Sequence, residues 1–453
     1  MTFSLLTPSG RALLSLTALI AACQVGGADR LPDASLNLRL AAPIATWDEA
    51  IPLGNGLMGG LLWGEDNRIR LSLDRGDLWD ERPAPGDPLS TFTYARMVKL
   101  AEEGRNDEIR RIADTLAYDQ KHPTKIPAGR LEIVLDPSQQ LESFELNLAT
   151  AEGFARFTNG ARLDLLFAAI EPGPDAWPPA RPFRPHPVAL MRIPGPEPKQ
   201  LDLLPPASVK QLGYPAPRIG ATDGLDWFEQ DTADGGSFCV AVGRRRVGDA
   251  TLLAITVATR AEGKSPRDVA AARIESALEA SYESLRRAHA AWWAQFWSQS
   301  QVHVPEPDIL RHYYLVQYFY GAASRRFAPP MPLQGVWTAD AGTLPPWKGD
   351  YHHDLNTQMT YMGYQTAGRF DAGACFLDFL LERRPAFERF ARDFLGTPGL
   401  NVPGVMTLAG QPLGGWAQYS LSPTAAGWLA HLFYLHWRYG AERDPAFEQA
   451  AYS

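Results

Sequence analysis

Apolar and polar residues alternate along much of the first half of the chain. Phe144, Leu146 and Leu148 fall on every second position, the period of a strand with one buried face. Gly60-Leu61-Leu62-Trp63 and Arg68 to Leu73 flank a Glu65-Asp66-Asn67 turn. Arg156-Phe157-Thr158 and Arg162 to Leu165 flank Asn159-Gly160, the strongest short hairpin signal. Phe238 to Val247 and Leu252 to Val257 are joined at Gly248-Asp249 in the same way. Many short strands joined by turns predict a sandwich or similar all-β domain over residues 31–262, its strands running from about 37 to 259. One helical insertion is expected at 93–119, and the proline-rich residues 172–217 read as long irregular loops on that domain.

At Ser265-Pro266-Arg267-Asp268 the period changes. A proline just inside a serine cap starts a helix, and the alanine-rich run to about 299 favours one. Trp293 and Trp297, four apart, share a helical face and read as packing residues. This helix, within residues 263–303, is expected to link the β domain to a second one. Helical patterns follow at 308–326, 358–368, 372–394 and 424–439, and another begins at Asp444-Pro445. They predict a helical array or toroid from about residue 304 onward, with fewer helices than a closed α/α toroid needs.

Residues 11–22 form an apolar run after a basic residue, the length of a signal h-region and too short to span a bilayer. The run ends Ile20-Ala21-Ala22-Cys23, which is similar to a bacterial lipobox. The expectation is an exported protein, lipid-anchored through Cys23 at the cell envelope or periplasm, or else secreted after ordinary cleavage nearby. That would also be its one route to a membrane. Cys239 and Cys375 then remain, too few and too far apart for a disulfide framework or a metal motif, and read as buried thiols. A formal net charge of −8 argues against nucleic acid as a partner.

Gly54-Asn55-Gly56-Leu57-Met58-Gly59 fits G-x-G-x-x-G, with Asp74 at a tempting distance. A dinucleotide site needs a strand before the glycines and a helix N-terminus after them. Here a β-hairpin follows, so the glycines are read as a tight turn near a domain interface, and no cofactor is expected.

The densest chemistry lies between two helical patterns. Leu333-Gln334-Gly335-Val336-Trp337 is followed by Pro345-Pro346-Trp347-Lys348-Gly349-Asp350-Tyr351-His352-His353-Asp354-Leu355-Asn356-Thr357-Gln358-Met359. Gly342, Pro345, Pro346 and Gly349 make this a loop that ends at a helix start, and loops between rigid elements often carry function.

Two segments together carry a family resemblance. Trp47-Asp48-Glu49-Ala50-Ile51-Pro52-Leu53 with the glycine turn and Leu73 to Trp79 resembles the start of glycoside hydrolase family 95. The central loop resembles that family's Leu-Gln-Gly-x-Trp run, its Pro-Trp, and its Asn-x-Asn-x-Gln-Met element. Gly427-Trp428-Leu429, His431-Leu432 and His436-Trp437-Arg438-Tyr439 resemble a later helix of its barrel. The family contains α-L-fucosidases and some α-L-galactosidases. The resemblance implies a β-then-α protein: an N-terminal β-sandwich, a helical linker and, over 304–453, part of an (α/α)6 barrel. It also implies hydrolysis with inversion by an acid and a base carboxylate.

Asp354-Leu355-Asn356 departs from the family in putting a carboxylate where its first amide stands. An ionised Asp354 can take a proton from water, which an amide cannot; alternatively it orients the water or caps the helix. Asn356 is the companion candidate for orienting water or a sugar hydroxyl. Trp337 and Trp347 are candidates to stack on a pyranose, and Trp416 for the pocket rim. Gln334 and Gln358 either bond substrate or brace the loop, the latter preferred. His352 and His353 are candidates for a sugar hydroxyl; as neighbours in an extended segment they point to opposite sides, which disfavours a shared metal. Nothing later in the chain matches the family's catalytic acid and base, so a fragment is expected. The first reading is therefore an exported glycosidase releasing terminal α-L-fucose or a related L-sugar from oligosaccharides. The alternative is a carbohydrate-binding fragment or scaffold without turnover, and a phosphorylase or lyase of the same barrel type is a third possibility.

Overall fold

The computed structural model describes residues 31–83, 93–113, 121–169, 187–222, 224–326, 328–338, 340, 342–413, 421–440 and 445–452. The leader with Cys23, the Trp416 candidate and residues 114–119 of the predicted insertion lie outside them.

Two antiparallel sheets face each other. The larger runs, in spatial order, Leu38–Ala41, Leu141–Asn147, Glu152–Phe157, Arg162–Phe167, Val188–Pro194, Ala250–Thr259, Ser237–Val247, Leu225–Asp231 and Arg218–Thr222. The smaller runs Gln200–Leu204, Gly129–Val134, Arg68–Arg75, Met58–Glu65 and Ile51–Gly54. Leu53, Leu62, Ile69 and Leu71 from the smaller sheet and Phe144, Phe157, Leu163 and Leu165 from the larger are buried in one core. The sheets approach so closely that a Cβ on Gly60 would lie 2.6 Å from the Phe167 ring. At Asn159-Gly160 the expected hairpin forms. Gly160 takes φ +83° and Phe157 N–H donates to Ala161 at 3.0 Å, closing the turn at a conformation a β-carbon disfavours.

Residues 172–217 are not simply loops. Val188–Pro194 is a buried strand inside the larger sheet, paired with Arg162–Phe167 and Ala250–Thr259. Gln200–Leu204 is an edge strand of the smaller sheet. Pro187 and Pro194 bound a run that is apolar except for Arg192, close to the pattern of a strand buried on both faces, and the prolines around it hid that pattern.

Both faces of the larger sheet are covered. The helix Pro266–Glu279, capped by Ser265 Oγ accepting from Asp268 N–H at 3.2 Å, lays Ala270, Ile274 and Ala277 against Leu190, Ala241 and Ala254. The single helix expected to 299 is two, because Ala280 and Ser281 are extended and Tyr282–Ser298 starts afresh. On the second, Trp293 and Trp297 are fully buried; Trp293 stacks on Tyr318 with centroids 5.4 Å apart. Trp297 Nε1 donates to Leu148 O at 2.9 Å.

The remainder is helical: Pro307–Ala323, Asn356–Thr366, Phe370–Glu382, Arg384–Phe390, Ala425–Tyr439 and Pro445–Tyr452. The pattern at 372–394 divides at Arg383, since Pro385 suits the first turn of a new helix rather than the interior of an old one.

The glycine turn is where the β and α parts meet. Gly56, at φ +92°, donates its N–H to Ala322 O at 2.7 Å. A Cβ on Gly54 would lie 2.5 Å from Ala322 O, and one on Gly59 would lie 2.4 Å from Val336 O. Tyr318 Oη donates to Pro52 O and Trp337 Nε1 to Leu53 O, each at 2.8 Å. These glycines permit close backbone approach across a domain seam, with no helix N-terminus behind them to receive a phosphate.

Candidate active site

The loop before the helix Asn356–Thr366 is pinned from several sides. Trp347, Lys348 and Gly349 are successively left-handed, at φ +56°, +61° and +63°. Two non-glycine residues there store strain that the surroundings must hold, a feature concentrated at ligand-handling segments. The holding groups come from the sandwich. Thr124 Oγ1 donates to Lys348 O at 3.3 Å, and Lys125 packs under Gly349, where a Cβ would lie 2.9 Å from Lys125 Cβ. Lys125 Nζ is itself tied to Asp74 Oδ1 at 2.6 Å in a fully buried pair. Trp79 stacks on Tyr351 with centroids 6.2 Å apart.

The segment then becomes extended, with Tyr351–His352 pairing Val405–Met406. In such a segment residues two apart share a side. Tyr351 and His353 turn inward against Phe379 and Phe376. Asp350, His352 and Asp354 share the other side: His352 Nδ1 is 3.0 Å from Asp350 Oδ1 and His352 Nε2 is 3.5 Å from Asp354 Oδ1.

Each member is in a different environment. Asp350 is buried, its Oδ2 without a hydrogen-bond partner among the described residues. Burial raises its carboxyl to about 6; His352 opposes the shift and Asp354 adds to it. For His352, burial pulls downward, but the bond to Asp350 and the charges of both carboxylates outweigh it and hold the imidazole above its usual value. Asp354 keeps 27% of its side-chain surface exposed, and its Oδ1 accepts no hydrogen bond among the described residues. It does not cap the helix either: the residue at the cap is Leu355, and no side chain satisfies that end. Asn356 opens the helix with an exposed side chain. Trp347, 43% exposed, stands edge-on to His352 with centroids 6.1 Å apart.

The structure thus brings Trp347, His352 and Asp354 together, with Asn356 next along the chain. It sends four other candidates elsewhere. His353 is a core histidine, correcting its reading as a sugar contact: it is buried, Nδ1 donates to Pro403 O at 3.2 Å, and burial pushes its ring down to about 4. Gln358 is buried and braces the loop through Nε2 to His353 O at 2.5 Å. Gln334 braces it through Nε2 to Pro346 O and Oε1 from Thr338, each at 3.2 Å. Trp337 spends its indole N–H on Leu53 O and packs on Phe319, so it serves the seam. With Gln334 it lines a cleft of about 630 Å³ between the sandwich and the helices, together with Trp47, Phe319 and Met359. Sequence reasoning missed a separate role for Asp350, although the same two-residue period that parts His352 from His353 places Asp350 beside His352.

The sequence pattern of the glycosyl hydrolase family 95 catalytic domain matches residues 281–453, which include this loop. Over that segment the chain is similar to family 95. Residues 38–164 match the N-terminal domain of glycosyl hydrolase family 65, in keeping with the facing sheets. Alpha-L-fucosidase 2 of Arabidopsis thaliana is 21% identical over 90% of this chain and 56% of its own length. A solved structure described as a candidate kojibiose phosphorylase from human microbiome aligns with a TM-score of 0.57 at 12% identity. That alignment covers 90% of this chain and 54% of the other, and bears on the fold alone. The chain therefore spans about half the length of the relatives it matches.

Proposed function

We propose that this chain contributes to a glycoside hydrolase that releases a terminal α-L-fucosyl or related L-sugar from oligosaccharides with inversion. The observation that carries the reading is the partly exposed carboxylate of Asp354, its buried Oδ1 facing His352 Nε2 at 3.5 Å, set at the head of the family-95 helix beside an exposed tryptophan. In the proposed step Asp354 accepts a proton from water as the water oxygen bonds to the anomeric carbon. The glycosidic C–O bond breaks as a separate carboxylic acid protonates the departing oxygen. Trp347 offers a face on which the apolar side of a pyranose stacks, and Asn356 orients the water or a sugar hydroxyl. Export, with lipidation at Cys23, is part of the same proposal, since glycans of this kind are met outside the cell.

The test is an NMR assay of residues 24–453 against α-L-fucosides and α-L-galactosides, in phosphate-free buffer and with phosphate added. Phosphate-independent release of the β-anomer, lost in Asp354→Ala, supports the reading. Release that requires phosphate points to phosphorolysis instead. Turnover in Asp354→Ala within a few-fold of the parent chain removes Asp354 from catalysis, and sugar binding without product favours a scaffold.

A further inference from the structure

The one nitrogen of His352 that Asp354 does not face is committed to Asp350, and that commitment has a cause in the packing. Asp350 lies in the turn that leaves the left-handed triplet: its N–H donates to Trp347 O at 3.2 Å and its carbonyl accepts from Leu333 N–H at 2.9 Å. Its carboxylate is thereby fixed below the surface while His352 is fixed by the ladder with Val405. With both backbones held, the 3.0 Å contact between Asp350 Oδ1 and His352 Nδ1 leaves the imidazole little rotational freedom. A carboxylate accepts and never donates when ionised, so Nδ1 carries the hydrogen, and Nε2 is the nitrogen turned toward Asp354.

We propose that Asp350 is the positioning residue of this site, fixing the ring and tautomer of His352 so that a proton carried on Nε2 is held against the Asp354 carboxylate. This rests on the proposed role of Asp354, though the positioning itself can be measured without turnover. The array accounts for the burial of a carboxylate that no arginine or lysine pairs with among the described residues. With His352 protonated and both carboxylates ionised the three groups sum to −1. Loss of that proton leaves two negative charges flanking a neutral ring, which weakens the hold on Asp354. Asp350 and Asp354 face His352, and the neutral ring of His353 lies on the opposite side of the segment.

The experiment is a two-dimensional ¹⁵N–¹H NMR titration of the histidine rings in the intact chain, in the parent protein and in Asp350→Asn and Asp354→Asn. His352 is assigned by its loss in His352→Gln. The expected parent pattern is Nδ1 protonated throughout, with Nε2 titrating above the usual histidine midpoint. Asp350→Asn should lower the midpoint by about one pH unit or more, the size of a close charge pair. It should also let the neutral tautomers mix. Asp354→Asn should lower the midpoint less and leave the tautomer unchanged, a split that a general loss of folding would not produce. Unchanged shifts for the distant His289 serve as the folding control. An unchanged His352 midpoint and tautomer in Asp350→Asn would overturn the proposal, as would a parent ring protonated on Nε2 alone when neutral. Sugar release can fail in every sample without altering these readouts, so the two readings fail separately.

Discussion

His289 makes the coupling between linker helix and sandwich measurable as a pH dependence. It lies on the helix Tyr282–Ser298, is buried, and spends both ring nitrogens on the sandwich. Nδ1 accepts from Ala169 N–H at 3.2 Å and Nε2 donates to Thr150 O at 2.8 Å. That pattern admits only the neutral ring, because a proton on Nδ1 would confront the Ala169 N–H. Burial accordingly pushes the imidazole down to about 4, with Glu152 opposing. In the unfolded chain the ring returns to about 6.5. Between those values the unfolded state binds a proton that the folded state does not, so stability is full above the unfolded value and is lost as the pH falls. From pH 7 to pH 5 the loss from this one group is about 2 kcal/mol. The assay is urea unfolding at the two pH values, in the parent chain and in His289→Gln. The glutamine amide can accept from Ala169 and donate to Thr150 but does not titrate. Asp350 titrates in the opposite sense, its carboxyl being raised in the folded state, and is common to both chains, so the difference between them isolates His289. The parent should lose about 2 kcal/mol more than the variant. Equal losses, within about 0.5 kcal/mol, would refute the assignment of a neutral latch.

Gly59→Ala should cost about 1–3 kcal/mol and lower Tm by several degrees, because its Cβ would meet the Val336 backbone, which cannot turn aside. Gly427→Ala, in a helix with nothing within 4 Å of the new Cβ, should instead stabilise by about 0.5–1 kcal/mol in the same thermal melt. Trp337→Phe should destabilise by about 1–3 kcal/mol by leaving Leu53 O unpaired at the seam, whereas Trp347→Ala should leave Tm nearly unchanged while weakening sugar binding in titration calorimetry. Cys239 and Cys375, buried and with thiols pushed up to about 12, should react with a thiol reagent only in denaturant; rapid labelling of the native chain would contradict their burial.

Much of the fold could be read locally. Asn159-Gly160, Gly248-Asp249 and Asp66-Asn67 each set a hairpin because the turn chemistry and the two-residue period agree. What could not be read locally is pairing over distance. No local pattern says that Val188–Pro194 sits between strands beginning at 162 and 250, or that the 172–217 stretch holds strands at all. Likewise the break at Ala280-Ser281 replaces no helix-favouring residue with a breaker. It lets the chain leave the outer face of the sheet, covered by Pro266–Glu279, and turn Trp293 and Trp297 toward the seam.

The candidate site divides along the same line. Aromatic and amide side chains in a loop have the chemistry to hold a sugar and, equally, the chemistry to hold two domains together; composition does not choose between them. What chooses is whether the polar atom is already spent. Trp337, Gln334 and Gln358 have donors committed to Leu53, Pro346 and His353. They stiffen the frame on which the exposed groups stand. Trp347 and Asp354 keep part of their surface exposed. Thr124, Lys125 and Trp79, more than 200 residues earlier in the chain, carry the strained turn that presents them. A preorganised site is bought with such contacts. The sandwich is therefore part of the machinery that shapes this loop, and loosening the Lys125–Asp74 pair should disturb the loop before it unfolds the sheets.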